Sequence, residues 1–145
     1  MTVMVTIVLP TLWIGLLLGI SFVATPVKFK AQSLTLPVAL DVGRVTFGLF
    51  SRVEQFLVVF LAAIYGALDR AVWPVILTVL LVGLVVLQAA WLLPFLNRRI
   101  GLVIAGEKAP PSYTHVAYGA AEALKLMTLM ALVAISVAQS QLHAL

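Results

Sequence analysis

The chain has no cysteine, only two histidines, and charge on just 10% of its residues. Without cysteine there is no disulfide, no thiolate metal site and no cysteine nucleophile. Soluble domains are about one quarter charged, so a chain this poor in charge has too little polar side chain to clothe a solvated surface. His115 and His143 stand about 28 residues apart, some 40 Å along a helix, too far to share a haem or a metal ion. Also missing are an H-E-x-x-H pair, a glycine-rich phosphate loop after a strand and a nucleophile elbow. The expectation is therefore no metal, no cofactor and no catalytic residue that can be named. The net charge of +4 does not argue for nucleic acid, because the basic residues are not interleaved with aromatics; Lys28, Lys30, Arg98 and Arg99 suit anionic lipid headgroups.

Apolar residues are abundant instead. At 63% hydrophobic and a mean hydropathy of +1.19, the chain reads as an all-α integral membrane protein. Its 145 residues leave room for one domain of four spans with short connections, since a span takes about 20 residues.

Residues 3–27 carry no charge and form the first expected span; a signal peptide fits less well, because no basic segment precedes the run and it exceeds the roughly 7–15 residues of a signal core. Gly15 and Gly19, four apart, are expected to let another helix backbone approach closely. Pro26, Lys28 and Lys30 end this span. Thr35 and Pro37 suit a helix start, giving an interfacial helical segment before a second span at about 45–68. Asp69 and Arg70 form a short turn. The third span runs over about 72–96, with Pro74 in its first turn, Trp73 and Trp91 at the two interfaces and Arg98-Arg99 at its exit. Gly101, Gly106, Pro110 and Pro111 mark a loop, and the fourth span follows at about 115–138.

Basic residues orient the bundle. Lys28, Lys30 and Arg44 flank the first connection and Arg98, Arg99 and Lys108 the third, against Arg70 alone in the second. The positive-inside rule then puts both large connections in the cytoplasm and both termini outside, in a plasma membrane or bacterial inner membrane.

A layer of polar residues interrupts the apolar spans. On the fourth, His115, Tyr118, Glu122 and Lys125 follow steps of three, four and three and share a stripe. Glu54 on the second span and Gln88 on the third fall at similar depth, whereas Arg52 points away from Glu54. Two readings stand. Either the charges snorkel or pair as an anchor, or Glu54, Gln88, Tyr118, Glu122 and Lys125 line a polar pocket that binds a ligand, a lipid headgroup or a proton, because buried carboxylates in hydrocarbon need polar company. Met127 and Met130 read as lipid or core residues rather than a copper(I) site.

Residues 19–29, Gly-Ile-Ser-Phe-Val-Ala-Thr-Pro-Val-Lys-Phe, then 43–50, Gly-Arg-Val-Thr-Phe-Gly-Leu-Phe, and a histidine at the entry to the last helix resemble the small four-helix bacterial membrane proteins related to the eukaryotic cisplatin-resistance-associated transmembrane proteins. This resemblance implies a helical bundle and no particular chemistry. In length, span number and basic cytosolic face the chain is also similar to the membrane-associated eicosanoid and glutathione metabolism proteins. Their second-helix motif combines Arg, Asn and Glu; Arg44, Arg52 and Glu54 are present here, with no Asn between them. The first reading is a small transport, binding or accessory protein, expected as a homo-oligomer among membrane lipids with its small-molecule ligand unidentified; the alternative is a glutathione-dependent transferase at the cytosolic face.

The basic asymmetry yields a test. A periplasmic-type reporter fused to the C-terminus is expected to be active and a cytoplasmic one silent; activity of the cytoplasmic fusion would mean a miscounted span.

Overall fold

The computed structural model describes residues 2–67 and 72–142. The Asp69-Arg70 turn and His143 lie outside the described residues. Everything described is helix or connection, and four helices are long and apolar enough to cross a membrane.

Helix α1 comprises an α-helical part, Thr2–Leu17, a π-helical stretch, Leu18–Ala24, and a final α-helical turn, Thr25–Lys28. Helix α2 is Leu36–Ala67. Helix α3 runs through Val72–Leu87, a π-helical stretch at Gln88–Leu92, and Leu93–Ile104. Helix α4 is Thr114–Leu142. Consecutive helices are antiparallel neighbours, and α1 also packs on α4, closing an up-down-up-down bundle.

The two π stretches share a cause. Each ends two residues before a proline, Pro26 or Pro94, whose ring would collide with the carbonyl four residues back and which has no N–H to give it. Widening the turn relieves the collision, and the following N–H reaches five residues back instead, from Thr25 to the Ile20 carbonyl and from Leu93 to the Gln88 carbonyl. Pro26 therefore does not end α1, and Arg98 and Arg99 lie within α3 rather than at its exit.

Two boundaries move for local reasons. Helix α2 begins nine residues before the expected 45, because the Ala39 N–H reaches the Thr35 carbonyl at 2.9 Å, Pro37 fits the first turn and no breaker follows. The segment read as separate and interfacial is the start of one long helix. Helix α3 continues to Ile104 and stops where Gly106 takes a φ of +78°. There Glu107 N–H bonds the Leu102 carbonyl and Gly106 N–H the Val103 carbonyl, at 2.9 and 3.1 Å, satisfying two otherwise orphaned carbonyls.

Buried residues follow the spacing of an inward helical face: Thr6, Pro10, Trp13 and Leu17 on α1; Phe47, Phe50, Ser51, Glu54, Val58, Leu61 and Tyr65 on α2; Tyr118, Glu122, Lys125, Leu129, Leu132 and Ser136 on α4. Toward the end where α1 and α3 begin, an apolar core joins Trp13, Leu17, Val58, Leu61, Leu81, Val85, Leu129 and Leu132. A smaller set, Phe47, Leu84, Leu92, Leu93, Tyr118 and Ala121, lies toward the other end, which carries Lys28, Lys30, Arg98 and Arg99 and is called the basic end below.

Gly15 and Gly19 are not where a helix contact was expected. A Cβ added at either meets nothing within 4 Å, because Gly15 sits two positions from both Trp13 and Leu17, about 200° round the helix from the inward face. Replacing either by Ala is therefore expected to raise stability by about 0.5–1 kcal/mol, the usual gain on removing glycine from a helix interior, measured by thermal unfolding in detergent. A loss of stability would reveal a partner against this face.

Candidate functional site

The inward faces carry scattered hydroxyls among apolar side chains, but at one level four helices deliver strongly polar side chains, three of them charged, to a common centre. Glu54, Gln88 and Glu122 are each 1% exposed and Lys125 is fully buried. The Lys125 ammonium lies between the carboxylates: it bonds Glu54 Oε1 across the bundle and Glu122 Oε1 at 2.7 Å along its own helix. The Phe50 ring stands 6.0 Å from the ammonium, a cation–π distance.

Each carboxylate takes further donors. Trp13 Nε1–H donates to Glu54 Oε1 at 3.1 Å. Gln88 Nε2–H donates to Glu122 Oε1 at 2.8 Å, and the Ser21 hydroxyl donates to Glu122 Oε2 at 2.6 Å. Charge-assisted bonds of this kind are short and strong. Both π stretches thus serve one carboxylate, since Ser21 lies within the first and Gln88 opens the second. Such stretches add a residue to the turn and swing the following side chains to new azimuths.

Helices α2 and α4 run parallel across the bundle diagonal. Glu54 meets Lys125 and Tyr65 meets Ser136, the second pair at 3.0 Å, both at a sequence separation of 71. The same register therefore holds over eleven residues, about 16 Å of helix.

Of the six polar residues singled out in the sequence, five converge. Glu54, Gln88, Glu122 and Lys125 bond one another, and Tyr118 joins through its backbone carbonyl, which accepts from Gln88 Nε2 at 3.4 Å, while its ring packs edge-on against Phe47 at 5.2 Å between centroids. His115 does not join them. It is exposed at the start of α4, because a step of three residues turns it about 60° off the Tyr118 direction, enough to leave the bundle interior. The centre is also closed rather than a pocket open at one end. A groove of about 410 Å³ between α2 and α3, lined by Ala62, Tyr65, Gly66, Val75, Thr78, Val79 and Val82, lies away from it.

Two members of the centre, Trp13 and Ser21, were missed. Trp13 carries a readable signal, because it lies on the Thr6-Pro10-Trp13-Leu17 face and a buried indole N–H seeks an acceptor. Ser21 stands four residues after Leu17, about 40° round the helix and so on the same inward face, but a lone hydroxyl in a long uncharged run names no partner.

The two stretches that carry the first resemblance meet beside this centre. The Lys28 ammonium rests on Gly43, where an added Cβ would strike it, and lies 5.1 Å from the Phe29 ring centroid and 5.5 Å from that of Phe47. Among the described residues no carboxylate pairs with it. Arg44 pairs instead with Asp41 at 2.6 Å on a half-exposed face, and Arg52 is exposed, so Arg44, Arg52 and Glu54 do not converge on one ligand.

The chain matches no protein-family model, no curated protein and no solved structure.

Removing the ammonium leaves two carboxylates buried without a counter-charge. Lys125→Met is expected to cost about 3–5 kcal/mol of stability, the scale of breaking a buried pair from one side. The triple change Glu54→Gln, Glu122→Gln, Lys125→Met is expected to recover most of it. Denaturant unfolding in detergent measures both; equal losses in the single and triple variants would show that packing rather than charge sets the cost.

Proposed function

We propose that the protein is a small multi-pass membrane protein of the transport or binding class whose working centre is the Glu54–Glu122–Lys125 cluster, and that this centre takes up and releases one monovalent cation. The charge count carries the reading. Two carboxylates face a single ammonium, so the fully ionised centre bears one net negative charge inside a bundle whose outer faces meet lipid. An uncompensated charge at that depth costs several kcal/mol. One added monovalent positive charge removes the imbalance, and no buried cation other than Lys125 stands among the described residues to supply it.

The surroundings favour exchange at a fixed position. Trp13, Ser21 and Gln88 hold the carboxylates from three sides, so a change of charge there meets oriented dipoles already in place. A purely structural anchor has no use for the second carboxylate, because one acid and one base balance. The basic end faces the cytoplasm in this reading, with exposed Lys30 and Arg98 among anionic headgroups, in a plasma or bacterial inner membrane. The resemblance to the small four-helix bacterial membrane proteins agrees with such a bundle.

Proteoliposomes on a solid-supported membrane test the reading. A concentration jump in at least one of H⁺, Na⁺ or K⁺ is expected to give a transient current in the wild type and none in Glu122→Gln, which keeps the shape and hydrogen bonding of the acid. Silence of the wild type to all three would make the cluster an anchor and end the proposal.

A further inference from the structure

Polar side chains on the two sides of the centre are treated differently. On the apolar-core side every buried one has a partner: Thr78 bonds the Pro74 carbonyl at 2.7 Å, Thr128 the Leu124 carbonyl at 2.7 Å, and Tyr65 bonds Ser136. On the basic side the Tyr118 hydroxyl, Gln88 Oε1 and Asn97 Oδ1 are buried without a protein partner. Tyr118 is 4% and Gln88 1% exposed, so each orphan withholds a hydrogen bond worth about 1–3 kcal/mol. Native proteins seldom leave such groups bare, and bound water is the usual partner.

Their placement is directional. Tyr118 lies one turn nearer the basic end than Glu122, and Asn97 lies nine residues beyond Gln88 toward the same end, about 14 Å along α3. The distances are unequal too. From Glu122 the start of α4 is eight residues away, about 12 Å, whereas from Lys125 its far end is 17 residues away, about 25 Å, past the apolar core.

We infer that the exchanged cation is a proton and that it reaches Glu122 from the basic end through water held by Asn97, Tyr118 and Gln88. This rests on the reading of the centre as a one-cation site and assigns the ion and its side of entry. Hydrated metal ions need several oxygen ligands in place of their water, and among the described residues no three acidic or histidine side chains converge. A proton needs only a chain of hydrogen-bonding groups. The Tyr118 hydroxyl both donates and accepts, so it can pass a proton on: a new O–H bond forms on the Glu122 carboxylate as an O–H bond of the adjoining water breaks, and that water regains its proton from the next, back to bulk. The charged and titratable groups around Glu122 are Lys125 and Tyr118 on its own helix and Glu54 from α2. Helix α3 presents the neutral Gln88. Helix α1 presents the neutral Ser21 and Trp13, with its Lys28 beyond the Phe47 ring.

The test compares the rate with the extent of proton uptake in the same proteoliposomes. Tyr118→Phe keeps the ring against Phe47 and removes only the hydroxyl. It is expected to slow the rise of the pH-jump current at least about tenfold, the low side of what a positioned proton-transfer group contributes, while the total charge moved stays that of the wild type. Asn97→Leu is expected to act in the same direction, and Tyr65→Phe, on the far side, to leave the rate unchanged. Infrared difference spectra should show a carboxyl C=O band appearing on acidification in the wild type and in Tyr118→Phe, and absent in Glu122→Gln. A current driven by Na⁺ or K⁺ but not by pH would overturn this inference and leave the one-cation centre standing. Wild-type rates in both Tyr118→Phe and Asn97→Leu, or slowing by Tyr65→Phe, would overturn the assigned route. No current from any of the three ions would remove the centre itself.

Discussion

One ammonium group between two carboxylates sets the terms for the rest of this bundle. Lys125 is fully buried, and a buried ion separated from its partners is far more costly than the same ion paired. Sliding α4 by one turn past α2, about 5.4 Å, would part Lys125 from Glu54 and Tyr65 from Ser136 together. The apolar contacts around them are less selective, since leucine and valine pack tolerably in neighbouring registers. Hydrophobicity makes four helices apolar enough to cross a membrane; the ion pair and its parallel hydrogen bond choose among the ways of packing them.

Two of the helices that supply that centre are not regular throughout. Pro26 and Pro94 each force a wider turn just before them, and the Ser21 hydroxyl and the Gln88 amide that reach Glu122 lie in those two stretches. Similar prolines thus stand beside the same carboxylate on two parallel helices. The cost is a stretch of α1 with no buried residue, and the bundle is correspondingly thin there. Lys28 partly fills the basic end, its ammonium resting on Gly43 and beside Phe47.

The bundle is also unequal along its length. Beyond the centre, toward the start of α1 and α3, the interior is aliphatic and aromatic with its hydroxyls bonded to carbonyls or to one another. Toward the basic end the core is smaller and holds polar atoms that protein groups do not satisfy. One half is built for cohesion, and the other holds the unsatisfied atoms on which the proposed water route rests. The proposed exchange of a cation at the centre needs both, because an ion must arrive from somewhere and must not leak through.

How much of this was legible depends on which properties are local. Composition and the length of uncharged runs determine that four helices of membrane-spanning size form, and helical periodicity determines that Tyr118, Glu122 and Lys125 share a stripe; each depends only on neighbours a few residues away. Glu54 and Gln88 could be placed at the same depth by counting along the helices. The sequence could not say that these groups close into one buried cluster, nor that His115 stays outside it, because both depend on how each helix is rotated against the others. For Gly15 and Gly19, small-residue spacing shows that a close approach is possible but not which way the face turns, and within the bundle it turns outward. The helix start at Thr35-Pro37 was legible, but its continuity with the second span was missed because the span was measured as a membrane-crossing length, and the run of α3 through Arg98-Arg99 because charge was taken as the end of a helix. Ser21 is a clear limit: it stands four residues after Leu17 on the inward face, but its acceptor Glu122 lies on another helix. Tertiary structure alone decided that Lys125 also pairs with Glu54, because that pairing is a relation between helices, whereas the Glu122–Lys125 and Asp41–Arg44 pairs lie within one helix and follow from spacing.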